Sequence, residues 1–540
     1  TNVLGAFAFK GCTGLTNVTF PKAIHVINAG AFYNCINLEI VNFADDTEAC
    51  KLIDDYAFYN CSKLRVLIMP DTIEELGQNV FAKCYELFYV KFSNNIYNIN
   101  DYAFYQCVKL AVVVLPSELR AIGAYAFAEC VHLGYLDEEQ KDFLDINHIS
   151  YDEETVKNFV IPAKVGDPFP EDYRLEENTI GIRPYAFAYC TSLTHVDVEC
   201  KILGDYIFDH CTSLETANLA DGLTTINVAA FNHCESLVNM NNNNADGDPV
   251  LTIPTTVLNI EDYAFNYCLS AIEVIVPENV EKIGKYVFAY NRHLERATVK
   301  CDILGPFMFA YDGEFRDIAI SQDIRIIPEG CFYRCSSLSS MVNIGEIDTT
   351  DGKTVSLPTS VRVIEREAFR YCTSIENLIT PNTLGATEPG FEYDGPYLAD
   401  YIFANCESLI EANIQGAYLG NYMFANCYSL ERVTIGGIAD DPNQVITTIP
   451  AGAFYRCSSL TSVNTEGEIN VNPSVQTIEE YSFAQCASIT DLYLPISLQY
   501  IEGSAFSGCK SLVTVHIPFV GAERGDVTEY AEEKGLFGWI

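Results

Sequence analysis

One short pattern returns along almost the whole chain. Variants of Ala-Phe-x-x-Cys occur nineteen times, and the commonest interval between successive Phe residues of the pattern is 23. An aliphatic residue stands five positions before each of these Phe residues, as Leu4 does before Phe9 and Ile501 before Phe506. A unit this small cannot bury its own apolar side chains, so it must stack on copies of itself. The pattern therefore predicts a solenoid.

The rest of each repeat predicts its local structure. Six residues after the Phe comes Leu or another apolar residue, followed by an alternating segment such as Val18-x-Phe20-Pro21. Alternation with period two indicates a short strand, and Pro ends it because Pro has no N–H to donate. We expect two short strands in each repeat and a turn of helix or 3₁₀ helix around Ala-Phe-x-x-Cys. The Phe side chains should form an inward ladder with steps of ~4.8 Å.

The consensus I-x-x-x-A-F-x-x-C-x-x-L-x-x-V-x-[IFL]-P resembles the BspA-like, or Treponema pallidum-type, leucine-rich repeats. The resemblance covers nearly the whole chain and implies a leucine-rich repeat solenoid, a right-handed β/α superhelix that is strand-rich, with about 19 repeats of about 23 residues. We expect one continuous solenoid over residues 1–518 with inserted loops, the largest at 134–179, and a capping or linking segment at 519–540.

Charge and hydropathy limit the classes of function. The chain has 73 acidic and 32 basic residues and a net charge of −41, which excludes a phosphate-binding surface and hence nucleic acid as the main partner. No segment approaches the ~18 consecutive apolar residues of a membrane span. We expect a monomer that is extracellular or displayed at a cell surface, with its targeting signal outside the given residues.

Seventeen of the 21 Cys residues occupy one phase of the repeat. This regularity assigns them to the fold and predicts a ladder of buried free thiols that bond loop backbone. An alternative is disulfide pairing of neighbouring repeats, because Asn291 and Asp312 replace Cys in two consecutive repeats, as if a pair had been lost. No C-x-x-C pair is present, which argues against a zinc knuckle.

No catalytic set of residues stands outside the repeat phase, so we predict that the chain is not an enzyme and has no cofactor. Residues 242–247, N-x-N-x-D-G, match the first half of a calcium loop, but Ile253 stands where a bidentate Glu is needed, which leaves only a weak chance of Ca²⁺. His210 and His233 should stack side by side on the exposed face, and two ligands are too few for zinc.

A tyrosine frequently stands two residues before the ladder Phe. Asn79, Glu367 and Ser504 take the same position in other repeats, so the position should be partly exposed and its rings should form a stacked stripe. Tyr is enriched at binding surfaces, although rings that merely stiffen the rod are the alternative. The candidate binding tyrosines are Tyr56, Tyr102, Tyr125, Tyr185, Tyr206, Tyr263, Tyr286, Tyr401, Tyr422 and Tyr481.

Insertions between repeats supply further candidates. Residues 134–179 form the most acidic stretch and include Asp152, Glu153 and Glu154, while Phe391 and Tyr393 are aromatic residues outside the repeat phase. Loops on a rigid scaffold frequently carry function, so these five residues are candidate partner contacts. Solvated insertions without a role are the alternative.

The resemblance implies a non-enzymatic cell-surface or secreted binding protein that adheres to host or neighbouring-cell proteins, including matrix glycoproteins. Two alternatives remain open at this stage. One is a rigid stalk that displays another domain, and the other is a carbohydrate-binding surface that uses the exposed tyrosines. The strong acidity favours partners with basic patches, whose association should weaken as salt increases.

Overall fold

Short strands, two in most repeats, make up the regular structure of the chain. The computed structural model describes residues 2–44, 50–167, 181–241, 249–345, 353–384, 393, 398–415, 419–436, 446–465 and 467–518. The chain divides into two compact units, Thr1–Ala271 and Ile272–Ile540. Each unit is a strand-rich solenoid with little helix, as the sequence predicts. A single continuous solenoid over 1–518 stays a prediction.

Unit 1 contains two series of strands. The strands before the ladder Phe residues are two residues long: β1 (Val3–Leu4), β3 (Val26–Ile27), β5 (Leu52–Ile53), β7 (Glu75–Leu76), β9 (Asn98–Ile99), β11 (Ala121–Ile122), β13 (Gly181–Ile182), β16 (Thr225–Ile226) and β19 (Asn259–Ile260). The strands of the second series are β2 (Asn17–Phe20), β4 (Ile40–Phe43), β6 (Val66–Ile68), β8 (Tyr89–Lys91), β10 (Val112–Val114), β12 (Asn158–Ile161), β14 (His195–Val198), β15 (Thr216–Leu219), β17 (Asn239–Met240) and β18 (Val250–Thr252). Successive strands of a series pair in parallel, in the orders β1-β3-β5-β7 and β10-β8-β6-β4-β2 at the start of the unit.

Unit 2 repeats this arrangement. Its first series comprises β21 (Lys282–Ile283), β24 (Ile326–Ile327), β27 (Val363–Ile364), β31 (Thr448–Ile449), β34 (Thr477–Ile478) and β36 (Tyr500–Ile501). Its second series comprises β20 (Glu273–Val276), β22 (Arg296–Val299), β23 (Asp317–Ile320), β25 (Ser340–Asn343), β26 (Thr354–Ser356), β28 (Asn377–Ile379), β29 (Glu411–Ile414), β30 (Arg432–Ile435), β32 (Ser462–Thr465), β33 (Glu468–Asn470), β35 (Asp491–Tyr493) and β37 (Thr514–His516). Pairing is parallel except between β32 and β33, which form an antiparallel hairpin.

The predicted phenylalanine ladder is confirmed as the core of both units. Ring centroids of Phe32 and Phe58 lie 5.1 Å apart, those of Phe58 and Phe81 lie 5.2 Å apart, and the rings are nearly parallel. In unit 2 Phe483 stacks on Phe506 at 5.3 Å. The interior Phe residues are fully buried together with the Leu and Ile residues of the repeat, because no single repeat can enclose them.

The segment around Ala-Phe-x-x-Cys is a run of turns, so the expected turn of helix or 3₁₀ helix is wrong. Residues two before and two after the Phe have positive φ, for example 56° at Tyr56 and 57° at Asn60, and left-handed residues interrupt a helix. The N–H groups of Tyr56, Phe58 and Asn60 donate to carbonyls of the next repeat at 2.8 to 2.9 Å. The alternating backbone thereby satisfies its buried polar groups from repeat to repeat.

The thiols of the repeat point inward, as predicted. Cys61 Sγ donates to the carbonyl of Phe32 at 3.3 Å, and Cys234 Sγ donates to that of Phe208 at 3.2 Å. All 21 cysteines are free thiols in the structure, and Cys12 is the exposed one among them. Burial raises the pKa of the buried thiols, to about 12 at Cys427, so they remain protonated donors near neutral pH.

Two helices interrupt the strands of unit 1 within the acidic insertion, α1 (Glu138–Ile146) and α2 (Glu153–Lys157). Asp137 and Gln140 form a capping box at the start of α1, with bonds of 2.8 and 3.0 Å. After α2, β12 pairs in parallel with β14, so Phe159 lies opposite Val196 and this part of the insertion is a strand of the repeat series. Among the described residues, no helix has the length and apolarity of a membrane span.

Candidate binding surface

Four tyrosine rings form a continuous stack on unit 1. Ring centroids lie 5.0 Å apart between Tyr102 and Tyr125, 4.9 Å between Tyr125 and Tyr185, and 4.5 Å between Tyr185 and Tyr206. We call these four residues the tyrosine column. Each of its rings is half-buried, so part of every side chain faces solvent. The predicted stacking is confirmed for this part of the stripe.

The other two predicted tyrosines of unit 1 are more exposed. Tyr56 is 39% exposed, with its ring centroid 5.7 Å from that of Tyr59, and Tyr263 is 40% exposed. The equivalent position of the intervening repeats holds Asn79 or Ala229, neither of which offers a ring. The stripe is therefore a set of shorter stacks, and the tyrosine column is the longest of them on the described part of this unit.

On unit 2 the same position forms pairs. Tyr286 stacks on Phe307 at 4.8 Å, and Tyr401 stacks on Tyr422 at 5.2 Å. Tyr481 is 41% exposed. The Tyr401–Tyr422 pair ends at Gly452, where a Cβ would lie 2.2 Å from Cε1 of Tyr422, so a side chain cannot be added there without moving that ring.

Two hydroxyls of the tyrosine column, those of Tyr102 and Tyr185, have raised pKa values. Burial, followed by the neighbouring phenols of Tyr206 and Tyr125, raises the pKa of Tyr185 to about 12. Burial also raises the pKa of Tyr102. The phenols of Tyr102 and Tyr185 therefore present neutral O–H groups that can donate or accept a hydrogen bond.

A second column lies beside the first and was only half predicted. His210 and His233 stack at 4.2 Å as expected, but Tyr189 stacks on His210 at 4.5 Å and Tyr267 on His233 at 4.2 Å. We call these four residues the histidine column. All stand two residues after a ladder Phe. The recurrence of Tyr at that phase, as at Tyr290, is the sequence signal that could have revealed it.

A buried carboxylate accompanies the histidine column. Asp209 is 5% exposed, its Oδ1 lies 2.9 Å from Nδ1 of His210, and it accepts a 2.7 Å hydrogen bond from Asn232 Nδ2. Its charge also contributes, after burial, to the raised pKa values of Tyr185 and Tyr189, so it lies near both columns. The two columns and this carboxylate form one surface of donors and acceptors.

Glu129 extends this surface by one repeat. Its carboxylate accepts hydrogen bonds from the hydroxyl of Tyr105 at 2.8 Å and from Nε2 of Gln106 at 2.9 Å. The ring of Tyr105 in turn meets that of Tyr102 edge-on at 5.5 Å. Burial and the Glu129 carboxylate raise the pKa of Tyr105 to about 12. The described residues contain no group of three His, Cys, Asp or Glu side chains placed to hold a metal ion.

The acidic insertion packs down on the strand face of unit 1. Leu144 and Val156 belong to one apolar cluster with Phe88, Tyr89 of β8 and Val112 of β10. Apolar residues under the insertion would otherwise be exposed, so the insertion covers a patch that the repeats themselves create.

Arg65 fastens the same insertion. Its guanidinium carbon lies 4.2 Å from the ring centroid of Phe143, and its Nη2 donates 3.1 Å to Glu139. A guanidinium stacked on an aromatic face is favourable and keeps its plane fixed. This strand face, over β6 to β10, is therefore occupied by the chain itself.

The acidic candidates of the insertion already have structural roles. Asp152 caps α2 and accepts a 2.8 Å hydrogen bond from Thr155 Oγ1. This bond and that from the backbone N–H of Glu154 lower the pKa of Asp152. Glu153 pairs with Lys141 at 3.2 Å, and Glu154 is exposed. The side chains of all three reach solvent.

The two aromatic candidates of unit 2 outside the repeat phase are Tyr393 and Phe391. Tyr393 donates 2.9 Å to Oε1 of Glu365, and burial together with that bond raises its pKa to about 12. Phe391 lies outside the described residues. So do the calcium-like motif at 242–247 and the predicted cap at 519–540.

A family model described as BspA type leucine-rich repeat region, in six copies, matches residues 2–134, 171–245, 249–351, 348–466 and 387–513. No curated protein sequence matches the chain. A solved leucine-rich repeat protein from Bacteroides ovatus is 21% identical, covers 78% of this chain and 86% of its own, and superimposes with a TM-score of 0.55.

Two other solved structures resemble the chain less closely in shape. A leucine rich cell surface protein from Faecalibacterium prausnitzii is 19% identical and covers 93% of this chain and 87% of its own, with a TM-score of 0.29. The leucine rich repeat protein of T. pallidum is 17% identical and covers 43% and 82%, with a TM-score of 0.27.

Proposed function

The chain belongs to the BspA-type leucine-rich repeat family, and from that premise we propose that it is a binding protein of the cell surface or the secreted space that attaches to proteins of a host or of neighbouring cells. Leucine-rich repeat proteins of this kind are in general non-enzymatic scaffolds that bind proteins. A scaffold of this kind binds through side chains that its repeats do not need for folding, and unit 1 displays such a set.

The observation that carries the proposal is the paired surface of unit 1, formed by the tyrosine column and the histidine column. Rings at these positions are not needed to build a repeat. Asn79 stands two residues before its ladder Phe, and Asn60 stands two residues after its own. Half-buried Tyr side chains offer contact area at small entropic cost. Their hydroxyls add hydrogen-bonding groups along the edge of each stack.

Ring stacking also supports a protein partner over a neutral carbohydrate. A sugar binds an aromatic ring through the ring face, and the faces of Tyr125 and Tyr185 are already covered by neighbouring rings of the column. The edges and hydroxyls remain available to polar side chains and backbone groups of a protein. The net charge of −41 further favours a partner with a basic surface.

The proposal is tested by binding of the full chain to a panel of purified matrix and mucosal glycoproteins at two salt concentrations. Truncation of the column in a Tyr125→Ala/Tyr185→Ala variant should weaken binding at least ~10-fold. Tyr135→Ala is the matched control, since Tyr135 is 53% exposed on the same unit outside both columns. Equal loss in both variants would contradict a site at the columns.

A second variant tests the acidic insertion. Replacement of Asp152 by Asn and of Glu153 and Glu154 by Gln removes three charges, and Asn still caps a helix. If the insertion binds a basic partner, the affinity of this variant should no longer depend on salt concentration. The affinity of the Tyr125→Ala/Tyr185→Ala variant should still depend on it. Absence of binding to every member of the panel would favour the rigid stalk.

A further inference from the structure

A basic patch on unit 2 contrasts with the acidity of the chain. Arg334, Arg366 and Arg370 are interleaved with Tyr311, Tyr333, Tyr371 and Tyr401 over four successive repeats. Ladder Phe residues of those repeats are separated by 5.1 to 5.9 Å, so the seven side chains lie close together. We call them the arginine patch.

Arg334 takes the place of a ring in a stack. Its guanidinium carbon lies 4.7 Å from the ring centroid of Tyr371 and 5.7 Å from that of Tyr311. The backbone N–H of Arg334 donates 2.9 Å to the carbonyl of Arg370, which holds the two arginines in adjacent repeats. Stacking on rings holds the plane of a guanidinium, and Arg334 also hydrogen-bonds Tyr333 with its side chain while remaining exposed.

Arg370 is held in the same way. Its guanidinium carbon lies 5.1 Å from the centroids of both Tyr371 and Tyr401, and that of Arg366 lies 5.8 Å from Tyr401. Aromatic faces stabilise these cations without neutralising them. The tyrosines therefore orient the arginines and leave their charge in place.

Few carboxylates oppose this charge. Glu367 is the carboxylate that pairs here, at 2.8 Å from Arg370 and 3.5 Å from Arg366. Arg334 is exposed and makes no ion pair with any carboxylate in the part of the chain that the structure describes. The nearby Glu365 accepts hydrogen bonds from the hydroxyl of Tyr393 and the N–H of Glu329, which are neutral donors. Three arginines stand against the two carboxylates Glu365 and Glu367, an excess of one positive charge.

We infer that the arginine patch binds an acidic glycan through its sulfate or carboxylate groups. Oriented guanidinium edges suit such oxyanions, which they bind through paired N–H donors. An acidic peptide would gain from backbone pairing, but the N–H groups of Phe332 and Arg334 already donate to Ala368 and Arg370 of the next repeat. Recognition by side chains alone favours the glycan. This site goes beyond the protein-binding function proposed for unit 1.

The test uses the full chain with dextran sulfate, carboxymethyl dextran and neutral dextran as probes. We expect binding to at least one of the two acidic polymers and none to neutral dextran, and the stronger of the two identifies the acidic group. Arg334→Gln should weaken that binding about 10-fold. The fold accepts Gln here, because Gln106 and Gln485 stand at the same position of other repeats.

Two controls make the outcome decisive. Arg296→Gln removes an exposed arginine of the same unit that pairs with Glu273 at 3.2 Å, and this variant should bind as the parent does. Binding that is absent for both acidic polymers, or that falls equally in both variants, overturns the inference. Equal or stronger binding of polyglutamate would overturn the choice of a glycan over a peptide.

Discussion

Oδ1 of Asp312 accepts a 2.7 Å hydrogen bond from the backbone N–H of Asn291. Asn291 and Asp312 hold the cysteine position of two consecutive repeats, so the carboxyl group occupies a place built for a thiol. Asp312 is fully buried, and its Oδ2 has no hydrogen-bond partner among the described residues. Burial raises its pKa well above the usual value of an aspartate.

This raised pKa predicts a pH-dependent stability of unit 2. The folded chain retains a proton on Asp312 that the unfolded chain releases above its pKa of about 3.9. The residue's contribution to stability is therefore full below that pH and is lost as the pH rises. Asp312→Asn should raise the free energy of unfolding by about 1–3 kcal/mol at pH 7 and change it little at pH 3. Urea unfolding at the two pH values measures this.

The control for that comparison is Asp323→Asn, since the side chain of Asp323 is 70% exposed and faces Arg325 at 3.9 Å. This variant should differ from the parent by less than about 0.5 kcal/mol at both pH values. An Asp312→Asn variant that is equally stabilised at both pH values would show that packing, and not ionisation, separates it from the parent.

Thiol accessibility is predicted from the inward position of the cysteines. A thiol reagent should label one cysteine rapidly in the native chain, Cys12, because the others are less exposed or buried. Burial raises the pKa of Cys509 to about 11 and of Cys427 to about 12, which further slows reaction of those thiols. In denaturant all 21 should react. A lower total under non-reducing conditions would establish disulfides between neighbouring repeats.

The stacked histidines predict an unusual titration. Burial first, and the neighbouring His210 second, lower the pKa of His233. His210→Asn removes the neighbouring imidazole at a position where Asn34 and Asn60 show that Asn is accepted, so the pKa of His233 should rise. NMR titration of isotopically labelled histidine side chains measures the midpoint of His233 in the parent and in His210→Asn.

The same shift affects stability in acid. Because the folded-state pKa of His233 is depressed below the unfolded value of about 6.5, the unfolded chain binds the proton more readily, and stability falls as the pH drops below about 6.5. The effect should be small, since the ring is half exposed. An unchanged His233 midpoint in His210→Asn would refute the coupling between the two rings.

Docking of the acidic insertion is predicted to depend on Leu144. This residue of α1 is fully buried against the strand face, and Leu144→Ala should cost about 2–5 kcal/mol of local stability. Hydrogen exchange of the α1 amides should accelerate accordingly. Ile146→Ala is the control, because Ile146 lies on the same helix and is 76% exposed. Slow exchange in Leu144→Ala would mean that Arg65 and the α1 cap suffice to hold the insertion.

Much of the fold follows from the sequence because its repeats are nearly identical in their apolar positions. A residue such as Phe58 must be buried, and stacking on Phe32 and Phe81 is the arrangement that buries it in a chain of equal units. The same argument places Cys61 inward and predicts that its thiol bonds loop backbone. The sequence did not predict the left-handed residues that flank each Phe. Tyr56 is one of them, and tyrosine is a residue type that rarely adopts positive φ.

The amino-acid sequence by itself determined the repeat, its inward ladder and the family, because a periodic apolar pattern constrains burial whatever surrounds it. Tertiary structure decided which side chains meet on the surface. The acidic insertion packs back on Tyr89, and Tyr189 and Tyr267 extend the predicted histidine pair into a column. The docking of the insertion depends on where a folded backbone places residues that no periodicity relates, whereas the stacking of Tyr125 on Tyr185 follows from their shared repeat phase.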